Sequence, residues 1–291
     1  MIAYHTKGNG SIVVASLRYD NAARSWAVSR SETAFENARV KSLNPALATD
    51  SLGTIWCAFV ARDRGTNATD LRMAYRLAGS SVWSDTGLVF GPTDDQLIER
   101  SARPVPTPGG MGMLYSVRET LYWATRANDL PPNSAWTGNV IYTSKPQGAI
   151  ADPYASHFSS VVDDQANVHL LLVDDYAIYY LRLAAGATNW AVPRKIGGDT
   201  KAVYSQIGLA NGKLAIGISV KRGQGAMFVS ADGGQTFDNG DALKLPKPTP
   251  GVSYGTARVE MPTRSVGPLA ILQQYDDNGT QRLLLFKVPA P

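Results

Sequence analysis

Polar and charged side chains stand where predicted strands begin or end. Seven of them share such positions, and these are Arg62, Asp63, Arg103, Arg118, His157, Tyr204 and Arg258. Side chains of these types hydrogen-bond sugar hydroxyls, and arginine also pairs with carboxylates. The pattern favours a ligand-binding face, and its alternative is a set of loop side chains that are simply solvated.

Enzymatic chemistry on sugars makes stricter demands on the same residues. A glycosidase needs two carboxylates that flank the scissile bond, and Asp63 is one candidate. A polysaccharide lyase needs a base, such as His157, with a tyrosine nearby. The sequence therefore leaves an enzyme and a binding protein both open.

The elements that position these residues repeat along the chain. An aromatic residue follows a turn at intervals of 47 to 57 residues, at Trp26, Trp83, Trp136, Trp190 and Phe237. Each interval contains four short apolar strands separated by turn residues, as in HFSSVVDD, VHLLLVDD, AIYYLRL and WAVPRKI. A repeat of this length without helical periodicity is typical of a β-propeller.

The predicted fold is all-β, with residues 1–291 forming a single propeller domain. Six four-stranded blades are expected, the first and last being incomplete and adjacent, and a five-bladed ring with a composite closing blade is the alternative. Unpaired strand edges favour aggregation, so we expect the first and last blades to pair and close the ring.

Composition excludes several classes of function. The net charge of +4 comes without a dense run of Lys and Arg, so nucleic acid is not an expected partner. The single cysteine, Cys57, rules out an internal disulfide and a zinc cluster, and we predict neither metal nor cofactor. No stretch approaches the roughly 18 apolar residues of a membrane span. We expect a cytoplasmic or virion-associated protein, or one exported with its signal removed.

The segment SADGGQTF, residues 230–237, carries the most specific signal. Asp232 can accept hydrogen bonds from the backbone after it, while two glycines supply unusual backbone angles. The residues Ser230, Asp232, Gly234, Thr236 and Phe237 match S-x-D-x-G-x-T-F, so the segment resembles the Asp-box, or BNR repeat, of sialidases and related propellers. The resemblance implies a structural turn between the third and fourth strands of a blade.

The same resemblance to sialidases implies roles for other residues. VYSQIGLANGKLAIG is similar to the tyrosine segment of that family, which would make Tyr204 the nucleophile, assisted by a glutamate such as Glu260. Arg103 and Arg258 would hold a substrate carboxylate. The F/Y-R-I-P segment of the family is missing, however, and the box follows the tyrosine instead of preceding it. DPYASHF and VVDDQANVHLLLVDD also loosely resemble arabinanase-like glycosidases and propeller-type lyases.

A glycan-recognising propeller fits these incomplete catalytic signatures best. Its partner would be an oligosaccharide or polysaccharide, and its role adhesion or attachment, for example in a phage particle. A glycoside-active enzyme is the alternative, and a scaffold that binds a protein assembly partner is the third hypothesis.

Overall fold

The computed structural model describes residues 1–8, 10–94, 100–144, 158–199, 201–220, 224–243, 261, 263–267, 269–277 and 280–288. These residues form β-strands and turns, and none of them lies in an α-helix, so the all-β prediction is confirmed. Within the same ranges no helix is long and apolar enough to cross a membrane.

The chain divides into two compact units, Met1–Ala155 and Ser156–Pro291. Three antiparallel sheets make up the described part of the first unit. Their strands are β1 (Ile2–His5), β2 (Ile12–Asp20) and β3 (Ser25–Phe35); β4 (Val40–Thr49), β5 (Ile55–Asp63), β6 (Thr69–Arg76) and β7 (Ser84–Asp94); and β8 (Ala102–Thr107), β9 (Gly110–Val117), β10 (Thr120–Ala127) and β11 (Thr137–Thr143).

The second unit contains the remaining strands in three further sheets. These are β12 (Phe158–Val162), β13 (Val168–Asp174), β14 (Ala177–Leu183) and β15 (Arg194–Ile196); β16 (Ala202–Ala210), β17 (Lys213–Val220), β18 (Gln224–Ser230) and β19 (Asp241–Leu243), with the short β20 (Arg264–Ser265); and β21 (Leu269–Asp277) and β22 (Thr280–Val288). β20 pairs in parallel with β16, whereas the other pairings are antiparallel between successive strands.

The second strands of the three sheets that contain β5, β9 and β13 are buried along most of their length. Every residue of β9 is buried, as are the first seven of β5 and the first six of β13. Such continuous apolar runs indicate strands that are covered on both faces. Cys57 lies on β5 and is fully buried, and burial raises the pKa of its thiol to about 12. Its side chain packs in an apolar cluster with Phe59.

The sheets of each unit pack face to face around apolar clusters. One cluster in the first unit joins Ile12 and Phe35 to Phe59. A second joins Trp56 and Met73 of one sheet to Met113 of the next. In the second unit, Leu171 and Ile178 pack with Ile216 and Phe228. These clusters fix neighbouring sheets in position, and apolar contacts between sheets are the main source of their stability.

The expected six blades are wrong and the five-bladed alternative holds, since the described residues form five blades. Five of the sheets in the described residues have three to five strands, whereas the last has only β21 and β22. The sequence pattern gave six because the predicted strands of residues 1–30 and of residues 254–291 were each counted as an incomplete blade.

The aromatic repeat packs as expected in some sheets and not in the first. Trp83 and Trp136 pack against apolar clusters of the first unit, and Phe237 packs against that of the second. Trp26 is 67% exposed, because β3 is the outer strand of its sheet and its first seven residues are exposed. Its ring contacts Tyr19 at 5.2 Å between centroids. The first member of the repeat therefore does not anchor a blade.

Candidate functional site

A pocket of about 450 Å³ opens in the first unit, between β7 of one sheet and β10 and β11 of the next. Aromatic and small residues line it. They are Leu88, Val89, Phe90, Gly91, Tyr115, Tyr122, Ala124, Ala135, Trp136, Gly138, Asn139 and Val140. We refer to this site as the aromatic pocket. Its volume lies in the range of small-molecule sites in proteins.

Two tyrosines form one wall of the aromatic pocket. Tyr115 on β9 and Tyr122 on β10 are direct register partners, so their side chains emerge on the same face of the sheet. Their rings are parallel within 9° and their centroids are 4.9 Å apart. Tyr115 is buried and Tyr122 is half-buried. The two rings therefore stack on each other at the wall of the pocket and hold each other in place.

Trp136 and Phe90 complete the aromatic lining. The two rings meet edge to face at 88°, with centroids 5.4 Å apart. Trp136 also contacts the ring of Trp56 at 84° and 5.8 Å. Trp56 is buried and donates its indole Nε1–H to Asp50 Oδ2 at 2.8 Å. A chain of contacts thus connects a buried hydrogen bond to the pocket, and this limits the movement of its lining.

Small residues keep the aromatic pocket open. Gly91 has a φ of +71°, and a Cβ there would lie 2.8 Å from Val117 Cγ2 and 3.3 Å from Tyr115 Cε2. Both the backbone angle and the close approach therefore require glycine. Gly138 and Ala135 on the opposite side are exposed, so the pocket has access to solvent there.

The polar groups of the aromatic pocket are neutral. Burial, with a smaller contribution from Tyr122, raises the pKa of Tyr115 to about 12, so its phenol keeps its proton. Asn139 borders the pocket, but its register partner is Trp123, so its side chain lies on the opposite face of the sheet from the tyrosine pair. None of the described lining residues carries a charge. The pocket can stack rings and hydrogen-bond hydroxyls, but these residues provide no carboxylate pair for hydrolysis.

Arg62 and Asp63 are the last two residues of β5 and do not belong to the lining of the aromatic pocket. Asp63 Oδ1 accepts from the backbone N–H groups of Gly65 and Thr66, both at 2.8 Å. These hydrogen bonds lower the pKa of the Asp63 carboxyl, so it is ionised at neutral pH and unsuited to act as a general acid. Arg62 donates to Asn67 Oδ1 through Nε and Nη2, at 3.1 and 2.6 Å.

The other predicted site residues are dispersed. Arg103 is exposed on β8, and Arg118 has a φ of +52° in the turn between β9 and β10. Tyr204 is half-buried on β16, beside a register shift, and pairs with Ser219. Arg103 and Arg118 belong to the first unit and Tyr204 to the second. His157, Arg258 and Glu260 lie outside the described residues, so their roles stay predictions.

Residues 230–237 form a turn whose side chains satisfy one another. Ser230 Oγ donates to Asp232 Oδ1 at 2.7 Å, and Gly234 N donates to Ser230 Oγ at 2.8 Å. Thr236 donates to Asp232 through its backbone N–H and its hydroxyl. The hydroxyl and N–H of Thr236 and the hydroxyl of Ser230 hold the pKa of the Asp232 carboxyl well below its ordinary value. The Asp232 carboxylate therefore stabilises the turn to which it belongs.

Other sheets hold the equivalent loop with an arginine. Arg76 ends β6 and donates through Nη1 to the carbonyl of Ser80, four residues later, at 2.9 Å. Arg126, near the end of β10, donates through Nη2 to the carbonyl of Leu130, also four residues later. In these two sheets one arginine guanidinium binds a carbonyl of the loop, whereas Ser230 and Asp232 stabilise the loop after β18.

A buried hydrogen-bond network follows β12. Asp163 Oδ1 accepts from the backbone N–H of Asn167 at 2.8 Å, and Asp163 Oδ2 lies 2.9 Å from His169 Nε2. His169 is fully buried, and its Nδ1 lies 2.7 Å from the hydroxyl of Tyr180. Because an ionised carboxylate only accepts, Nε2 donates to Asp163 and Nδ1 accepts from Tyr180.

The network on Asp163 has a counterpart on Asp50 in the first unit. Each aspartate follows a first strand, accepts backbone N–H groups of its own turn, and binds a ring N–H six residues later. The ring belongs to Trp56 in one case and His169 in the other. The sequence reading missed this repeat because the two rings are of different types, although the spacing of six residues was visible.

Stability is expected to fall as the pH drops below about 6.5, the ordinary value for histidine. Burial lowers the pKa of His169 in the folded protein, although Asp163 opposes this. The unfolded chain therefore takes up a proton first, and the free energy of unfolding decreases from about pH 6.5 downwards. Urea unfolding at several pH values measures this slope. In His169→Gln the slope should be shallower, and an unchanged slope would contradict the assignment to His169.

Within the described part of the chain, no group of three or more His, Cys, Asp or Glu side chains could hold a metal ion. The expectation that the protein uses no cofactor stays a prediction.

Comparison with known proteins identifies the fold. No protein-family model matches the chain, and no curated protein matches it significantly. Solved structures do: an ulvan lyase, which is a polysaccharide lyase, has 12% identity and a TM-score of 0.59 over 99% of this chain and 79% of its own. A fungal lectin from Aleuria aurantia, with a six-bladed β-propeller fold and a fucose recognition mode, has 12% identity and a TM-score of 0.53 over 97% of this chain and 88% of its own.

The fold is a β-propeller. A protein of unknown function from Dyadobacter fermentans is also similar, with 11% identity and a TM-score of 0.58 over 99% of this chain and 86% of its own. At such low identity these likenesses establish the fold of the propeller and not its activity. The structural neighbours nonetheless include both a carbohydrate-binding lectin and a glycan-active enzyme.

Proposed function

We propose that this propeller recognises a carbohydrate through the aromatic pocket. The observation that carries the proposal is the parallel pair of Tyr115 and Tyr122 at the wall of an open pocket. Aromatic faces receive the C–H faces of pyranose rings, and the hydroxyl groups around them hydrogen-bond sugar hydroxyls. The lectin and the lyase among the structural neighbours support a carbohydrate ligand in general.

Binding without catalysis is the better supported form of this function. The aromatic pocket has no carboxylate among its described lining residues, and Asp63 is held ionised in its own turn. A glycosidase requires two carboxylates across the scissile bond. The sialidase-like set of Tyr204 and Glu260 remains an alternative proposal that depends on residues outside the described ranges.

We propose adhesion or attachment as the biological role, with a phage particle as one setting. Recognition of a glycan by a rigid propeller suits attachment to a cell surface, since a preformed site loses little entropy on binding. The Asp-box resemblance of residues 230–237 belongs to the same proposal: the turn would be the structural repeat of this superfamily and would take no part in binding.

Replacing Tyr122 by alanine is expected to weaken glycan binding by about tenfold, or ~1.4 kcal/mol, because half of the aromatic wall is lost. The ligand is first found on a glycan array and its affinity is then measured by isothermal titration calorimetry. Tyr4→Ala is the matched control, since Tyr4 is an exposed tyrosine of another sheet. Equal affinities of Tyr122→Ala and the unchanged protein would refute the site.

A further inference from the structure

The aromatic pocket selects uncharged sugars, and this inference rests on the proposed function. We infer that its ligand is a neutral pyranose with an apolar face, and that uronic acids, sialic acids and sulfated sugars are excluded. Sequence reasoning pointed the other way, because Arg103 and Arg258 would clamp a carboxylate. The inference concerns the aromatic pocket, whose described lining contains no arginine, lysine or histidine.

A carboxylate in this pocket would lack a partner. Removing a charged group from water is costly unless a counter-charge or several hydrogen bonds replace the lost hydration. Arginine is the residue that usually supplies this for carboxylates and sulfates, through paired N–H donors. On the face of the tyrosine pair the described lining offers two phenols and one indole, which are neutral groups. Burial raises the pKa of the Tyr115 phenol to about 12, so it does not ionise at neutral pH.

The walls of the pocket also fit an apolar sugar face. Tyr122 lies on one side, and its register partner Val140 on β11 is about half exposed. Leu88 and Phe90 add apolar surface from β7. A sugar could thus bury its C–H face against the aromatic wall and leave its hydroxyls at the opening. This arrangement favours ligands that make apolar contacts over ligands that carry a charge.

Matched sugar pairs test the inference. Each neutral oligosaccharide that binds on an array is compared with its counterpart oxidised to the uronic acid at C6, for example glucoside with glucuronide and galactoside with galacturonide. Neutral members should bind at least tenfold more tightly, and their affinity should not change between 50 and 500 mM salt, because no charge is involved. A uronide that binds as tightly as its neutral partner, with an affinity that falls as salt rises, would overturn the inference.

Two further kinds of substitution test whether binding takes place in the aromatic pocket: one adds a positive charge to it, and the other fills its opening. Ala135→Arg places a cation at an exposed position of the lining and should improve uronide binding at least fivefold, while Arg30→Gln, on an exposed residue of another sheet, should leave both sugars unaffected. Ala135→Phe fills the opening at an exposed position and should abolish binding of the neutral sugar. Circular dichroism checks that each variant is folded.

The possible failures are separable. If the unchanged protein binds no sugar on the array, the proposed function fails and the inference fails with it. If uronides bind preferentially and Ala135→Phe or Tyr122→Ala removes that binding, the function stands and the inference is wrong. If sugar binding survives both Ala135→Phe and Tyr122→Ala, the aromatic pocket is not the binding site and the inference is also overturned.

Discussion

Replacing Trp56 by alanine should lower the free energy of unfolding by about 3–5 kcal/mol, the usual cost of removing a fully buried tryptophan. Trp56 is 1% exposed and is among the largest fully buried side chains of the described residues. Its ring contacts Tyr75 and Trp136, and the guanidinium of Arg126 lies over it at 5.0 Å. Alanine would leave a cavity between two sheets and remove the donor to Asp50.

Trp56→Phe separates packing from the hydrogen bond. Phenylalanine keeps most of the apolar contact but leaves Asp50 Oδ2 without the indole donor, at an expected cost of about 1–3 kcal/mol. Denaturant unfolding of both variants measures the two costs. A loss of less than 1 kcal/mol in Trp56→Ala would contradict the packing of these sheets. Since Trp56 supports Trp136, glycan affinity should fall in Trp56→Ala even where the protein remains folded.

The sequence predicted the strands because their signals are local. Apolar runs such as VHLLLVDD and AIYYLRL became β13 and β14, and SADGGQTF became a turn of the expected kind, since turn residues and alternation act over a few positions. The blade count needs longer-range information. Each terminal group of strands resembles part of a blade, and local periodicity does not reveal how many strands one sheet contains.

The aromatic pocket could be predicted only in part. Trp136 was recognised as a member of the aromatic repeat, but Phe90, Tyr115 and Tyr122 read as ordinary strand residues. What makes them a site is the register that places Tyr115 opposite Tyr122, and the contact of Phe90 with Trp136 of the next sheet, neither of which a single sequence specifies. The sequence instead favoured charged residues near strand ends. Two of these, Arg62 and Asp63, form hydrogen bonds with residues that follow them closely in the chain.

Replacing Gly234 by alanine should destabilise the protein by about 2–5 kcal/mol, because backbone strain and a steric clash add together. Gly234 has a φ of +87°, and a Cβ there would lie 1.9 Å from the hydroxyl of Tyr180. Tyr180 has little freedom to move, since its hydroxyl is bonded to the buried His169. In addition, the carbonyl of Gly234 accepts from Arg194 Nη2 at 2.6 Å, which fixes the turn from the other side.

Gly233→Ala is the matched control. Gly233 has a similar φ of +68°, but a Cβ there would meet nothing within 4 Å, so the variant carries the backbone cost alone, about 1–2 kcal/mol. The difference between the two variants therefore measures the close approach to Tyr180. Adding Tyr180→Phe to Gly234→Ala should recover part of the loss, because the clashing hydroxyl is removed, and a double-mutant cycle quantifies this coupling. Equal destabilisation by the two glycine variants, or a coupling of zero, would show that the turn does not rest on Tyr180.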